Sequence, residues 1–190
     1  MKTSILFLIL SISLMFSCKD KNLQLDYQFT NKPDLFSCTD VNMDLIKEAV
    51  YAFEKDIIPY LESRGGGMLP RAYNIIVNLS IIKNLDVNDI ASDHTKAIFK
   101  ALEAQPELWT ASEPKYTLNY NSSFADCVID NFLNNDFKTT TKALISVNAM
   151  NDKNFNEPLL QHYKNINNDN GLRVFLAFNY FYAHFFKTKK

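Results

Sequence analysis

From Thr39 onward the chain alternates apolar residues spaced by three and four with short polar, glycine or proline breaks, which is the rhythm of amphipathic helices. The clearest case is Met43, Ile46, Val50, Phe53 and Ile57, one stripe of a helix whose other faces carry Asp44, Lys47, Glu48, Glu54 and Lys55. Thr39 or Asp40 is placed to cap it. Pro59 is expected to break or kink it, and Gly65-Gly66-Gly67 to turn the chain. A second helix is expected from Pro70 to about Asn84, central and buried, since Ile75, Ile76, Val77, Leu79, Ile81 and Ile82 surround its axis. A turn near Asp86 to Ile90 leads to a third, from Ser92 or Asp93 to Gln105, with Pro106 as its stop. Residues 106–121 carry no helical period, and Lys115 to Asn121 alternates as an extended segment would. A fourth helix follows Asn121-Ser122, with Ser123 and Asp126 at capping-box spacing. A fifth is expected from Phe137 to Met150, although three consecutive Thr oppose it. Residues 151–158 read as a loop before a short helix from Pro158 to Asn165. The last helix starts after Asn170-Gly171 and ends near Lys187. No repeat and no second domain appears. The expected fold is all-α, an irregular bundle of five to seven helices over residues 38–190.

The other apolar run stands at the start. Ile5 to Phe16 is broken only by Ser11 and Ser13 and is preceded by Lys2. It is shorter than the roughly 20 residues that cross a bilayer, so it reads as an export signal. It ends Leu14-Met15-Phe16-Ser17-Cys18, which resembles the lipobox of bacterial lipoproteins, of the looser kind found in the Bacteroidota. The resemblance implies cleavage of a signal peptide spanning residues 1–17, attachment of diacylglycerol to Cys18, and acylation of the new amino terminus with a fatty acid such as palmitate. Such a protein is anchored to the outer membrane through Cys18, on its periplasmic face or at the cell surface. Two or three acyl chains hold stably where one does not. Lys19-Asp20-Lys21 partly matches the surface-export tag of such lipoproteins, and residues 18–37 are expected to be a lipidated tether.

Composition then narrows the function. The chain of 190 residues is 47% hydrophobic with a formal net charge of -1, too apolar for disorder. Loss of residues 1–17 removes Lys2 alone and leaves 19 bases against 21 acids, a net of -2. That balance argues against nucleic acid as a partner. With Cys18 lipidated, Cys38 and Cys127 remain, either as one disulfide or as two buried thiols. His94, His162 and His184 lack metal-ligand spacing, and neither a nucleophile elbow nor a phosphate-binding loop motif is present. No cofactor, metal or catalytic residue is therefore assigned.

The remaining candidates are for binding. Trp109, Tyr116 and Tyr120 fall in the irregular stretch, where aromatic side chains stack on sugars or anchor a protein partner, and Arg71 offers an anion contact. The competing expectation is that they close the bundle as a lid. The aromatic run from Phe175 to Phe186 is read as a core helix in preference to an interface. Asn-rich composition, with 21 Asn, matches AT-rich codon usage and accounts for part of the aromatic excess. Residues 45–54, Leu-Ile-Lys-Glu-Ala-Val-Tyr-Ala-Phe-Glu, with Cys38 upstream, resemble small helical Bacteroidota lipoproteins without an assigned activity. The expected function is a non-enzymatic, membrane-anchored lipoprotein that binds another envelope component, such as a protein. The alternatives are an immunity-type inhibitor, or an enzyme whose site joins His94 to Asp89 or Asp93.

Overall fold

The apolar stripe of residues 43–57 winds into α1, Met43–Glu62, whose buried face includes Ile46, Val50, Phe53 and Ile57. The computed structural model that shows this describes residues 25–187, apart from residues 66, 113 and 114, with the backbone alone of 111, 112, 115 and 116. The signal-like run, Cys18 and Lys19-Asp20-Lys21 lie outside the described residues. After α1 come α2 (Leu69–Ile81), the single turn α3 (Val87–Ile90) and α4 (Asp93–Glu103). A short hairpin follows, β1 (Trp109–Ser112) antiparallel to β2 (Lys115–Leu118), with Trp109 opposite Leu118. The chain then returns to helix in α5 (Ser123–Asp130), α6 (Asn135–Ser146), α7 (Asp152–His162) and α8 (Asn170–Ala177). α8 widens into a π-helical turn over Phe178–Tyr182 and closes in α9, Ala183–Phe185. The protein is an all-α irregular bundle bearing one small hairpin. Among the described residues, no helix is long and apolar enough to cross a membrane.

The C-terminal helix is the hub. Residues 171–185 are buried without a break, and α1, α2, α5 and the hairpin pack around them. Its aromatic rings fill the core: Phe181 lies 4.8 Å from Phe53, Phe185 4.5 Å from Phe99, and Phe175 5.2 Å from Phe155. Edge and offset contacts of this kind add to the burial of large apolar area. Where α8 starts, it meets α5 backbone to backbone. A Cβ on Gly171 would lie 2.6 Å from the carbonyl carbon and oxygen of Asn131 and 2.7 Å from the Val128 oxygen.

A helix without a wet face must have its polar groups matched internally. Arg173 is 7% exposed and holds Glu54 of α1 through Nε to Oε1 at 2.7 Å and Nη2 to Oε2 at 2.8 Å. The Tyr73 hydroxyl of α2 donates to the same carboxylate at 2.8 Å, and the guanidinium lies 5.1 Å from the Tyr51 ring centroid. Burial works against the charge on Arg173, but the Glu54 hydrogen bonds and charge outweigh it and hold its pKa above the ordinary arginine value. Tyr182 donates to the Ala49 carbonyl at 2.8 Å, and His184 Nε2 lies 2.5 Å from the Ser80 hydroxyl. Asp169 caps α8 by accepting from the Leu172 amide and takes the Leu133 amide on its other oxygen, at 2.8 and 3.0 Å. Burial pushes its pKa up, with the two amides opposing.

Several boundaries differ from those read in the sequence, each for a local reason. The cap of α1 is Asn42, which accepts from the Leu45 amide, because Asp40 sits at φ 65, outside capping geometry. Pro59 stays inside α1, on its exposed side with Lys55, whose carbonyl it leaves without an amide partner. α2 buries one face only, with Asn78 exposed, and stops before Lys83 at φ 59. Ser122, and not Ser123, caps α5. α6 tolerates its threonines because Thr139 and Thr141 return their hydroxyls to the carbonyls of Asn135 and Phe137. It ends at Ser146, with Asn148 left-handed just beyond at φ 53. α7 starts at Asp152, capped by Asn151, so all of the expected loop 151–158 after its first residue is helix, with Pro158 inside it.

The largest difference lies ahead of α1. Residues 25–37, read as part of a tether, lie against the bundle. Leu35 is buried, and Leu25, Tyr27, Phe29 and Phe36 pack on the core. Cys38 is bridged to Cys127 of α5, across 89 residues of sequence.

Alanine at Gly171 is expected to cost about 1–3 kcal/mol or more, since both obstructing groups are backbone. A urea titration checks this as a lower midpoint at unchanged m. Arg173→Leu is expected to cost about 3–5 kcal/mol by stranding Glu54. Arg173→Leu combined with Glu54→Leu should cost less than Arg173→Leu alone, which a double-mutant cycle on unfolding free energies reads directly.

Candidate functional site

The four residues proposed for binding do not form one site. Trp109 is 8% exposed, its Nε1 donates to the Leu102 carbonyl at 3.0 Å, and its ring stacks 5.9 Å from Phe178. It is a core residue, and the lid expectation holds for it. Tyr116 lies in β2 opposite Ala111, and its side chain is outside the described residues. Tyr120 and Arg71 each line a separate opening.

Tyr120 stands between two adjoining clefts of about 230 and 180 Å³ that share Thr117, Tyr120 and Met150. Asn151 and Asn179 line one, and Asn121 and Asn148 the other. The Tyr120 ring stacks 6.2 Å from Phe175, and its hydroxyl donates to Asn179 Oδ1 at 3.0 Å. Burial holds this hydroxyl above the usual phenol range. The Asp152 carboxylate joins these amides and hydroxyls in the lining, and the Tyr120 ring is already engaged in the fold.

Arg71 opens onto a larger groove of about 510 Å³, between the loop that leaves α1 and the turn Tyr163–Asn165 after α7. Arg64, Arg71 and Lys164 line it, with Met68, Ile75 and Tyr163 between them. No carboxylate is among the described residues of the lining. All three cations are exposed. Gly65 shapes the rim: at φ 74 it is left-handed, and the Arg71 guanidinium carbon lies 3.0 Å from where a Cβ would be. A side chain there would push Arg71 out of the groove. Two exposed arginines and one lysine around an apolar floor can hold an anion that has a greasy neighbour.

His94 is engaged elsewhere. His94 meets neither Asp89 nor Asp93 as the enzyme alternative required; its Nε2 lies 2.6 Å from Oε1 of Glu48 on α1. Glu48 is fully buried, and its two oxygens also accept the amides of Gln28 and Phe29 at 2.6 and 2.9 Å. The Phe29 ring covers His94 at 6.3 Å between centroids. This carboxylate therefore clamps residues 28–29 of the N-terminal strap to α1. Lys47 adds a second clamp, 2.8 Å from Asp34, and the Tyr51 hydroxyl donates to the Pro33 carbonyl at 3.0 Å. Among the described residues, no three His, Cys, Asp or Glu side chains gather as metal ligands would.

The sequence reading missed Arg64 and Lys164 as partners of Arg71, because residues from two distant segments meet only in the fold. It also missed Glu48, Glu54 and Arg173 as a structural set. A lone arginine inside the otherwise apolar run 172–178 was the available signal for the last.

Trp109→Ala is expected to cost about 3–5 kcal/mol of stability, as a truncated core aromatic does. Arg71→Ala should stay within about 0.5 kcal/mol of the parent, as an exposed surface change does. Thermal or urea unfolding of the two variants separates the core residue from the open one.

Comparison of the chain with protein-family models, with curated proteins and with solved structures finds no match in any of the three.

Proposed function

We propose that this chain is an exported, lipid-anchored envelope protein that acts by binding and not by catalysis. Its signal spans residues 1–17, its anchor is diacylglycerol and an amide-linked fatty acid on Cys18, and its place is the outer membrane. The observation that carries the export half is the Cys38–Cys127 bridge. A disulfide of this kind persists in oxidising compartments such as the periplasm and is rare in the cytosol. It agrees with the short apolar run that ends Ser17-Cys18.

The binding half is supported by how the polar side chains are used. His94, Glu48, Glu54, Arg173, Ser80 and His184 hold the strap and the central helix in place. The openings lined by the candidate binding residues, the cleft pair at Tyr120 and the cationic groove at Arg71, are suited to recognition. Another envelope component is the class of partner this reading gives it.

The intact mass of the protein recovered from its native membranes tests the anchor. The expected species begins at Cys18 and carries the diacylglycerol and acyl additions; an unmodified Cys18, or cleavage at another position, overturns it. Reduction of the Cys38–Cys127 bridge is expected to remove up to about 4–5 kcal/mol, given the length of the loop it closes. Parallel urea titrations with and without reductant read that difference.

A further inference from the structure

We propose that the groove lined by Arg64, Arg71 and Lys164 is a docking face for the phosphates of an anionic lipid surface, with Met68 entering the interface. The inference rests on the anchored reading above, which places a bilayer beside the domain, and adds how the domain meets it. Three observations carry it. The first is charge. The mature chain is net negative, 19 bases against 21 acids, yet the described lining of this groove holds three cations and no acid. Each cation near an anionic membrane surface contributes about fivefold to the association equilibrium.

The second is the apolar element set among those cations. Met68 is 70% exposed, the most exposed large hydrophobic side chain among the described residues, and stands on the glycine turn at the groove's edge. An aromatic residue, Tyr163, lies on the opposite wall. A greasy tip ringed by Arg and Lys, with a tyrosine beside it, is the composition of a surface that sits at the headgroup level. Gly65 keeps the arrangement in register, since its missing Cβ lets the Arg71 guanidinium lie against the turn that carries Met68.

The third is reach. On the anchored reading, with residues 25–37 held to the bundle by Glu48 and Lys47, the length of chain between the lipid and the held segment is the stretch from Cys18 to Leu25. Fully extended it spans about 25 Å. A domain held that close to a bilayer meets it often, and a weak cationic face becomes effective through high local concentration.

The test uses the full lipidated chain reconstituted into vesicles of phosphatidylethanolamine and phosphatidylglycerol with brominated acyl chains. Met68→Trp is expected to add an emission that bromine quenches, over the Trp109 background of the parent. Arg64→Gln, Arg71→Gln and Lys164→Gln together should abolish that quenching, as should phosphatidylcholine vesicles or high salt. The thermal midpoint of the triple variant should match that of the parent, because all three side chains are exposed. Absence of quenching while the protein stays with the vesicles overturns the docking face and leaves the anchor standing. Loss of the protein from alkaline-washed vesicles overturns the anchor, and the docking face with it. Equal quenching in phosphatidylcholine overturns the role of the cations. Relief of quenching by millimolar inorganic phosphate at constant ionic strength reassigns the groove to a soluble anion and overturns the lipid commitment.

Discussion

The C-terminal helix has no solvent face, and the rest of the structure is organised by that constraint. Apolar positions on such a helix need only volume to fill, but each polar group must find a partner inside. Asp169, Arg173, Asn179, Tyr182 and His184 each do so on another element. They reach, in turn, the α5–α6 link, α1, the segment after β2, α1 again, and α2. Aromatic packing supplies most of the burial, but it is tolerant of sliding. The polar contacts fix which element lies where. The Glu54–Arg173 pair is the strictest of them, because it also takes the Tyr73 hydroxyl and so ties three helices at one carboxylate.

The helices themselves were legible, because their apolar stripes survive as buried faces. The all-α class, the core role of residues 175–185 and the extended nature of 115–118 follow from periodicity alone. The caps were not fixed to the residue. A cap depends on backbone geometry that neighbouring Ser, Thr, Asn and Asp do not reveal, as Asn42 against Asp40 and Ser122 against Ser123 show. Pro59 misled because it lies on the exposed side of α1, three residues before the helix ends at Glu62, where the packing of the buried face carries the helix past it. The strap at 25–37 was invisible for a deeper reason. It has no period, and what holds it is a carboxylate on the next helix together with backbone amides, which every sequence contains.

The candidate site was legible only in part. Trp109 and Arg71 look alike as isolated surface-capable residues in a loop and a helix start. The structure separates them by where their polar atoms go: the indole nitrogen to a backbone carbonyl in the core, the guanidinium over a glycine turn beside an open groove. A groove built from residues 64, 71 and 164 has no sequence signature, because contact between such distant positions is a property of the fold.

The close approach at Gly171 bears on descent. Apolar core positions can be exchanged for one another over long divergence, and surface positions drift freely. A backbone crossing that admits no Cβ cannot drift, and neither can one half of a buried charge pair be replaced without the other. Glycine at 171, arginine two residues on, a glutamate at 54 and cysteines at 38 and 127 are thus the positions where physical constraint predicts a sparse signature that outlasts overall similarity. Remote kin of this protein would be recognised by those five positions in order, long after their aligned sequences had become indistinguishable from chance.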